Sequence, residues 1–181
     1  MTAARRQIGV TNAYDAGYHR MDYPGGDVPR VTGACSDVVI RAARDAWGVD
    51  LQRLVHEDMA RAFAAYPRRW AMAGPDPNID HRRVPNLATY FSRVGARTWR
   101  AGPSPLDDGY MKLIAAGDIL TWRSFVGGGT HIAIVSQTAG ATRLIQNYGW
   151  GVHEEWMNPA WMTGVGGAFR WRPKASGAHV A

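Results

Sequence analysis

One side chain in this sequence can act as a sulfur nucleophile. Cys35 is the only cysteine, and it follows Gly33-Ala34, where a turn gives way to helical spacing. A thiol at a helix start faces unpaired N–H groups and the positive end of the helix dipole, which favour the thiolate and lower its pKa. The spacing therefore predicts a nucleophile active near neutral pH. Such a thiol needs a base that can also protonate a leaving amine, and the base needs a partner that fixes its tautomer. Of six histidines, His131 is the best placed, because it opens the apolar run His131-Ile132-Ala133-Ile134-Val135 directly after Gly127-Gly128-Gly129. His19, His153 and His179 fall in loops or the tail, and His56 lies on a helix face beside Glu57 and Asp58. Asn147 closes the next apolar run, where its amide oxygen could accept from the imidazole.

Elements able to hold these groups can be read from periodicity. Val38, Val39, Ala42, Ala46 and Trp47 recur at helical spacing, with Asp37 in the first turn and Gly48 past the end, so a helix is expected over 35–47. A second helix is expected from Asp50 until Pro67 stops it, and a third carries Leu87, Tyr90, Phe91 and Val94 up to Gly95. Residues 1–34 read as an irregular lead-in. Residues 67–86, with four prolines around a polar run, read as an ordered loop, as does the Gly/Pro/Asp stretch at 101–109. Four short strands follow, Ile119–Trp122, His131–Val135, Thr142–Gln146 and Ala168–Trp171, separated by glycine clusters such as Gly127-Gly128-Gly129 and by Gly140. Helices followed by an antiparallel meander make an α+β fold, expected as a single domain over 1–181.

Composition limits the function classes. The chain has 181 residues, 46% apolar and 20% charged, with net charge +6, which is ordinary for a globular domain. Arg supplies 19 of the 21 basic residues, which suits capture of carboxylates or phosphates. The arginines are scattered, and no zinc-finger, RNP or helix-turn-helix pattern accompanies them, so nucleic acid is not the expected partner. Neither Asp80-His81 nor His56-Glu57-Asp58 has a zinc spacing, so no metal or other cofactor is expected. No run reaches the roughly 18 to 20 apolar residues of a membrane span. Met1–Thr11 lacks the apolar run of a signal peptide. The expectation is a cytoplasmic chain, one exported by a signal-independent machine, or one whose leader has been removed.

The segments around Cys35, Gly117-Asp118-Ile119-Leu120 and His131-Ile132-Ala133-Ile134-Val135 resemble the papain-like fold of NlpC-type cysteine peptidases, enzymes that cut bacterial cell-wall peptides. Tyr23-Pro24-Gly25-Gly26-Asp27-Val28-Pro29, Asp50-Leu51-Gln52, Tyr66-Pro67 and Pro77-Asn78-Ile79-Asp80-His81-Arg82-Arg83-Val84-Pro85-Asn86 more closely resemble the bacterial domain of unknown function 1287, from about Tyr14 to Trp171. The resemblance implies N-terminal helices packed on a small antiparallel sheet, and a cysteine peptidase or amidase acting on peptidoglycan stem peptides outside the cytoplasm. It implies that Asn147 orients His131, with Gln146 the other candidate because it stands where His is expected, and that Tyr23 assists the oxyanion beside the Cys35 N–H. Carboxylates of D-Glu or diaminopimelate would meet Arg82 and Arg83, with Asp37, Asp80 and His81 completing the substrate-binding set. The rival readings are a non-catalytic wall-binding module using the eight tryptophans, and an acyl transferase that passes the thioester to an amine or a lipid acceptor. A toxin injected into rival bacteria would be paired with an immunity protein; a periplasmic hydrolase would not.

Overall fold

The computed structural model describes residues 1–104, 108–123, 129–137, 139–158 and 163–173. Gly127, Gly128, His179 and part of the 101–109 loop lie outside these residues. Helix α1 (Thr2–Arg5) and a two-residue parallel pair, β1 (Ala13–Tyr14) with β2 (Thr32–Gly33), precede α2 (Cys35–Trp47) and α3 (Leu51–Ala62). Helix α2 has the predicted limits, and the reasons are local. Asp37 Oδ2 accepts from the Ala34 N–H at 2.6 Å at one end, and Gly48 takes the left-handed φ of 64° at the other. Asp50 caps α3 by accepting from the Gln52 N–H at 3.0 Å. A 3₁₀ turn, Phe63–Ala65, then leads to Pro67.

The 67–86 stretch is more ordered than the expected loop. It holds a 3₁₀ turn at Asp80–Arg82, and α4 (Val84–Arg93) already begins before Pro85, which is tolerated in a first turn because its missing N–H would be unpaired there anyway. The lead-in is also pinned rather than loose. Buried Arg41 on α2 donates to the Asp27 carboxylate, Val28 O, Thr32 O and Thr11 Oγ1, and buried Gln52 donates to Asp22 O and Pro77 O while accepting from the Gly26 N–H. Two side chains thereby close the proline-glycine motif onto the helices.

Six antiparallel strands complete the α+β fold: β3 (Arg97–Arg100), β4 (Ile119–Trp122), β5 (His131–Gln137), β6 (Arg143–Gln146), β7 (His153–Trp156) and β8 (Val165–Phe169), in the order β3-β8-β4-β5-β6-β7. Strands β4, β5 and β6 pair in the expected meander, but an unexpected β7 extends it, and β8 returns to pair with β4 and carries β3 beyond it. The last strand starts earlier than predicted, at Val165, through two glycines. A side chain at Gly166 would meet Arg123 at 2.5 Å, so absence of a Cβ permits that pairing. Both sheet faces are covered. Ile119, Ile132, Ile134 and Ile145 pack with Cys35, Val38, Val39 and the other helices on one face, while Leu120, Trp122, Ala133, Val135 and Leu144 form a second cluster on the other. No helix among the described residues is long and apolar enough to cross a membrane.

Candidate functional site

Cys35 lies on the floor of a cleft of about 400 Å³ between the β1 segment, the 3₁₀ turn before α4 and the start of β5; Tyr14, Tyr18, Trp70, Arg83 and Thr130 are among its lining. The thiol is 4% exposed and unpaired by any disulfide. Three donors converge on the sulfur: the Ile132 and Ser36 backbone N–H groups and the Tyr14 hydroxyl, at 3.9 Å. These favour the thiolate, yet burial outweighs them and pushes the thiol up to about 11. Cys35 is therefore a neutral thiol at pH 7 in this structure, which corrects the expectation of a lowered pKa. Helix position alone misled, because removing the charge from water costs more than the donors at the sulfur return.

The expected partners separate onto the two faces of the sheet. Successive side chains of a strand alternate, so His131 shares the face of Trp122, Ala133 and Val135, while Ile132 faces the helices with Cys35. The imidazole lies beside Trp122, with ring centroids 5.4 Å apart, and its Nε2 meets Gln146 Oε1 at 2.8 Å. No thiol–imidazole hydrogen bond forms. Burial lowers His131 to about 4, so its ring is neutral. Gln146, not the favoured Asn147, is the histidine's partner. It also donates to Glu155 Oε1 at 2.9 Å, and that carboxylate binds His153 Nε2 and the Tyr148 hydroxyl. Asn147, one residue on, points the other way. Its Nδ2 donates to Gly33 O (2.7 Å) and Ala13 O (3.2 Å), and its Oδ1 accepts from the Gly149 and Gly151 N–H groups. It fastens β1 and β2 to the sheet.

The other expected residues sort similarly. Tyr23 is 43% exposed and packs edge-on against His56 at 5.0 Å; Tyr14 is the tyrosine at the sulfur. Arg82 is not free to meet a substrate, because it is held by Asp37 and by the carbonyls of Asp15 and Gly17. Asp37 is thereby a cap and ion-pair partner. Asp80 is buried, raised in pKa by that burial, and accepts from the Asp76 N–H and from Arg83. His81 is buried and lowered to about 4, and its Nδ1 has no hydrogen-bond partner among the described residues. Arg82 and Arg83 both line the cleft; Arg83 pairs with Asp80 at 3.2 Å and lays its guanidinium 4.1 Å over the Trp70 ring. Among the described residues, no group of three or more His, Cys, Asp or Glu could hold a metal ion.

Sequence reasoning missed Tyr14, Trp70, His153 and Glu155. None of them carried a periodic signal, since His153, Glu154 and Glu155 are all polar.

Fold and site together define an α+β protein with a buried cysteine at a helix start, set in a cleft beside the sheet. The chain belongs to the family described as "Domain of unknown function (DUF1287)", which matches residues 1–171. It is similar to the "Uncharacterized protein YijF" of Escherichia coli (strain K12), with 51% identity over 155 residues, 84% of this chain and 71% of that protein.

Proposed function

We propose that the protein is a cysteine-dependent amide hydrolase of the papain-like NlpC type, acting on bacterial peptidoglycan stem peptides. The observation that supports this most is the convergence of the Ile132 N–H and the Tyr14 hydroxyl on a thiol at the floor of a cleft. Donors placed there hold the sulfur as a thiolate forms, and a donor that turns to the oxyanion of the tetrahedral intermediate would be worth about 10²- to 10³-fold in rate. In the proposed reaction the Cys35 thiol passes its proton to His131 as the sulfur attacks the amide carbonyl, His131 gives that proton to the leaving amine as the C–N bond breaks, and water hydrolyses the resulting thioester to the free acid and the thiol. Arg83 meets a substrate carboxylate. His131, the first residue of β5, exchanges its Gln146 bond for one to the sulfur; catalytic hydrogen bonds often form only in the substrate complex. A wall substrate implies action in the periplasm or cell wall, either in wall maintenance or as a toxin with an immunity partner.

A second reading, a non-catalytic wall-binding module, is favoured by the same thiol: a neutral buried cysteine without an imidazole serves as packing. Mass spectrometry of muropeptides after incubation with the protein separates the two. New fragments that vanish with Cys35→Ala and with His131→Ala support hydrolysis. Intact muropeptides with retained sacculus binding support the binding module, and a product carrying an added amine or acyl acceptor indicates transfer.

A further inference from the structure

A wide cavity lies away from the thiol. It occupies about 1100 Å³ at the far end of α2, around the Gly48 cap, the start of α3, the end of α4 and the residues after β8. The 13 residues of α2 separate it from Cys35 by about 20 Å at ~1.5 Å per residue. Its floor is apolar, formed by Leu54, Tyr90 and Trp171, the last two only 6% and 5% exposed. Four arginines stand around it: Arg53, Arg93, Arg170 and Arg172. Two are already neutralised, Arg93 by Asp58 at 2.6 Å and Arg170 by Asp118 at 2.8 Å. Arg53 and Arg172 form no ion pair with any described carboxylate, although both are exposed and line the cleft. Asp50 does not offset them, because Gly25 N–H, Gln52 N–H and Arg44 already engage its carboxylate.

We propose that this cleft binds an acidic peptide segment, with carboxylates at Arg53 and Arg172 and an aliphatic side chain between them on Leu54 and Trp171. Guanidinium forks match carboxylates geometrically. The volume exceeds the roughly 300–1,000 Å³ of small-molecule sites, which suits a piece of polymer. Single-stranded nucleic acid binds by stacking bases on open aromatic faces, and the rings here are buried. A membrane surface requires projecting apolar groups, whereas this surface is concave.

The test is fluorescence anisotropy of a dye-labelled Glu-Leu-Leu-Glu peptide titrated with the full chain, beside Gln-Leu-Leu-Gln and Lys-Leu-Leu-Lys peptides. Saturable binding at least tenfold tighter for the acidic peptide is expected. It should fall at least tenfold in the Arg53→Gln/Arg172→Gln double variant and in Val94→Glu, a 46% exposed position lining the same cleft. Thermal unfolding of each variant shows that it is folded, and Val94→Glu carries the test if the double variant is not. Cys35→Ala should leave binding unchanged, so this inference and the hydrolase reading fail separately. Absence of binding, equal affinity for the neutral peptide, persistence in the cleft variants, or loss in Cys35→Ala overturns the inference. Preferential capture of a single-stranded oligonucleotide or an anionic-lipid vesicle overturns it too.

Discussion

Replacing Arg82 by Gln should be among the most destabilising single changes. The Arg82 side chain is 1% exposed and its partner Asp37 is 4% exposed. Its Nε and Nη2 lie 3.0 and 2.8 Å from the Asp37 carboxylate, while Nη1 and Nη2 also donate to Gly17 O and Asp15 O at 2.7 and 2.6 Å. Glutamine reaches none of these in the same geometry, so a buried carboxylate is left unpaired, at a cost of about 3–5 kcal/mol. For a chain of this length roughly 2–4 °C is lost per kcal/mol, which gives a fall in Tm of roughly 6–20 °C. Urea unfolding followed by tryptophan fluorescence, with Asp37→Asn and the double variant, reads the coupling. The double variant should lose clearly less than the two single changes added together. Arg82 also anchors the segment that carries Tyr14, so thiol alkylation should rise in the same variant. A loss under about 1 kcal/mol, or strict additivity, would refute the view that this ion pair holds the cleft together.

Alkylation of Cys35 in the wild type should be slow at pH 7 and climb steadily beyond pH 9, because burial holds the thiol near 11; a rate plateau below pH 8 contradicts this. His81 and His131 lie near 4 in the fold, against an ordinary 6.5. The unfolded chain therefore binds protons first, and stability, complete above pH 6.5, falls by about 3 kcal/mol per histidine as pH drops to 4. Urea midpoints should flatten between pH 6.5 and 4.5 in His81→Asn and His131→Asn, and an unchanged slope counts against buried neutral imidazoles. Asn147→Ala should cost at least about 1–3 kcal/mol through its lost backbone partners; an intact Tm with lost activity would instead restore a catalytic role. Gly151→Ala should destabilise strongly, since φ is 104° and the added Cβ would lie 2.6 Å from Thr11 O; a thermal scan shows it.

The limits of α2 were legible because amphipathic spacing, an acidic first turn and a terminal glycine agreed at the same residues. Strands β3 and β7 were not, since Arg97–Arg100 and His153–Trp156 are polar outer strands, the first largely exposed and the second largely half-buried, without apolar alternation. Tyr14 was invisible because Arg82 and Asn147, far along the chain, set its position through backbone carbonyls. Such contacts leave no periodic trace.

The separation of His131 from Cys35 has a similar origin. Alternation assigns a strand's faces only when one side is polar. In β5 both sides are buried, Ile132 and Ile134 against the helices and Ala133 and Val135 against the second cluster, so His131-Ile132-Ala133-Ile134-Val135 reads equally well in either orientation. A one-residue difference in phase carries the imidazole from the thiol to Gln146 and exchanges the roles of Gln146 and Asn147 on β6. The two amides are thus a paired indicator. With Asn147 holding the β1–β2 carbonyls and Gln146 holding His131 and Glu155, both strands are fixed in the phase seen here. The hydrolysis proposed for Cys35 and His131 would have to break the Gln146 bond while sparing the Asn147 clasp, which places the motion it needs at the first residue of β5 rather than in the sheet.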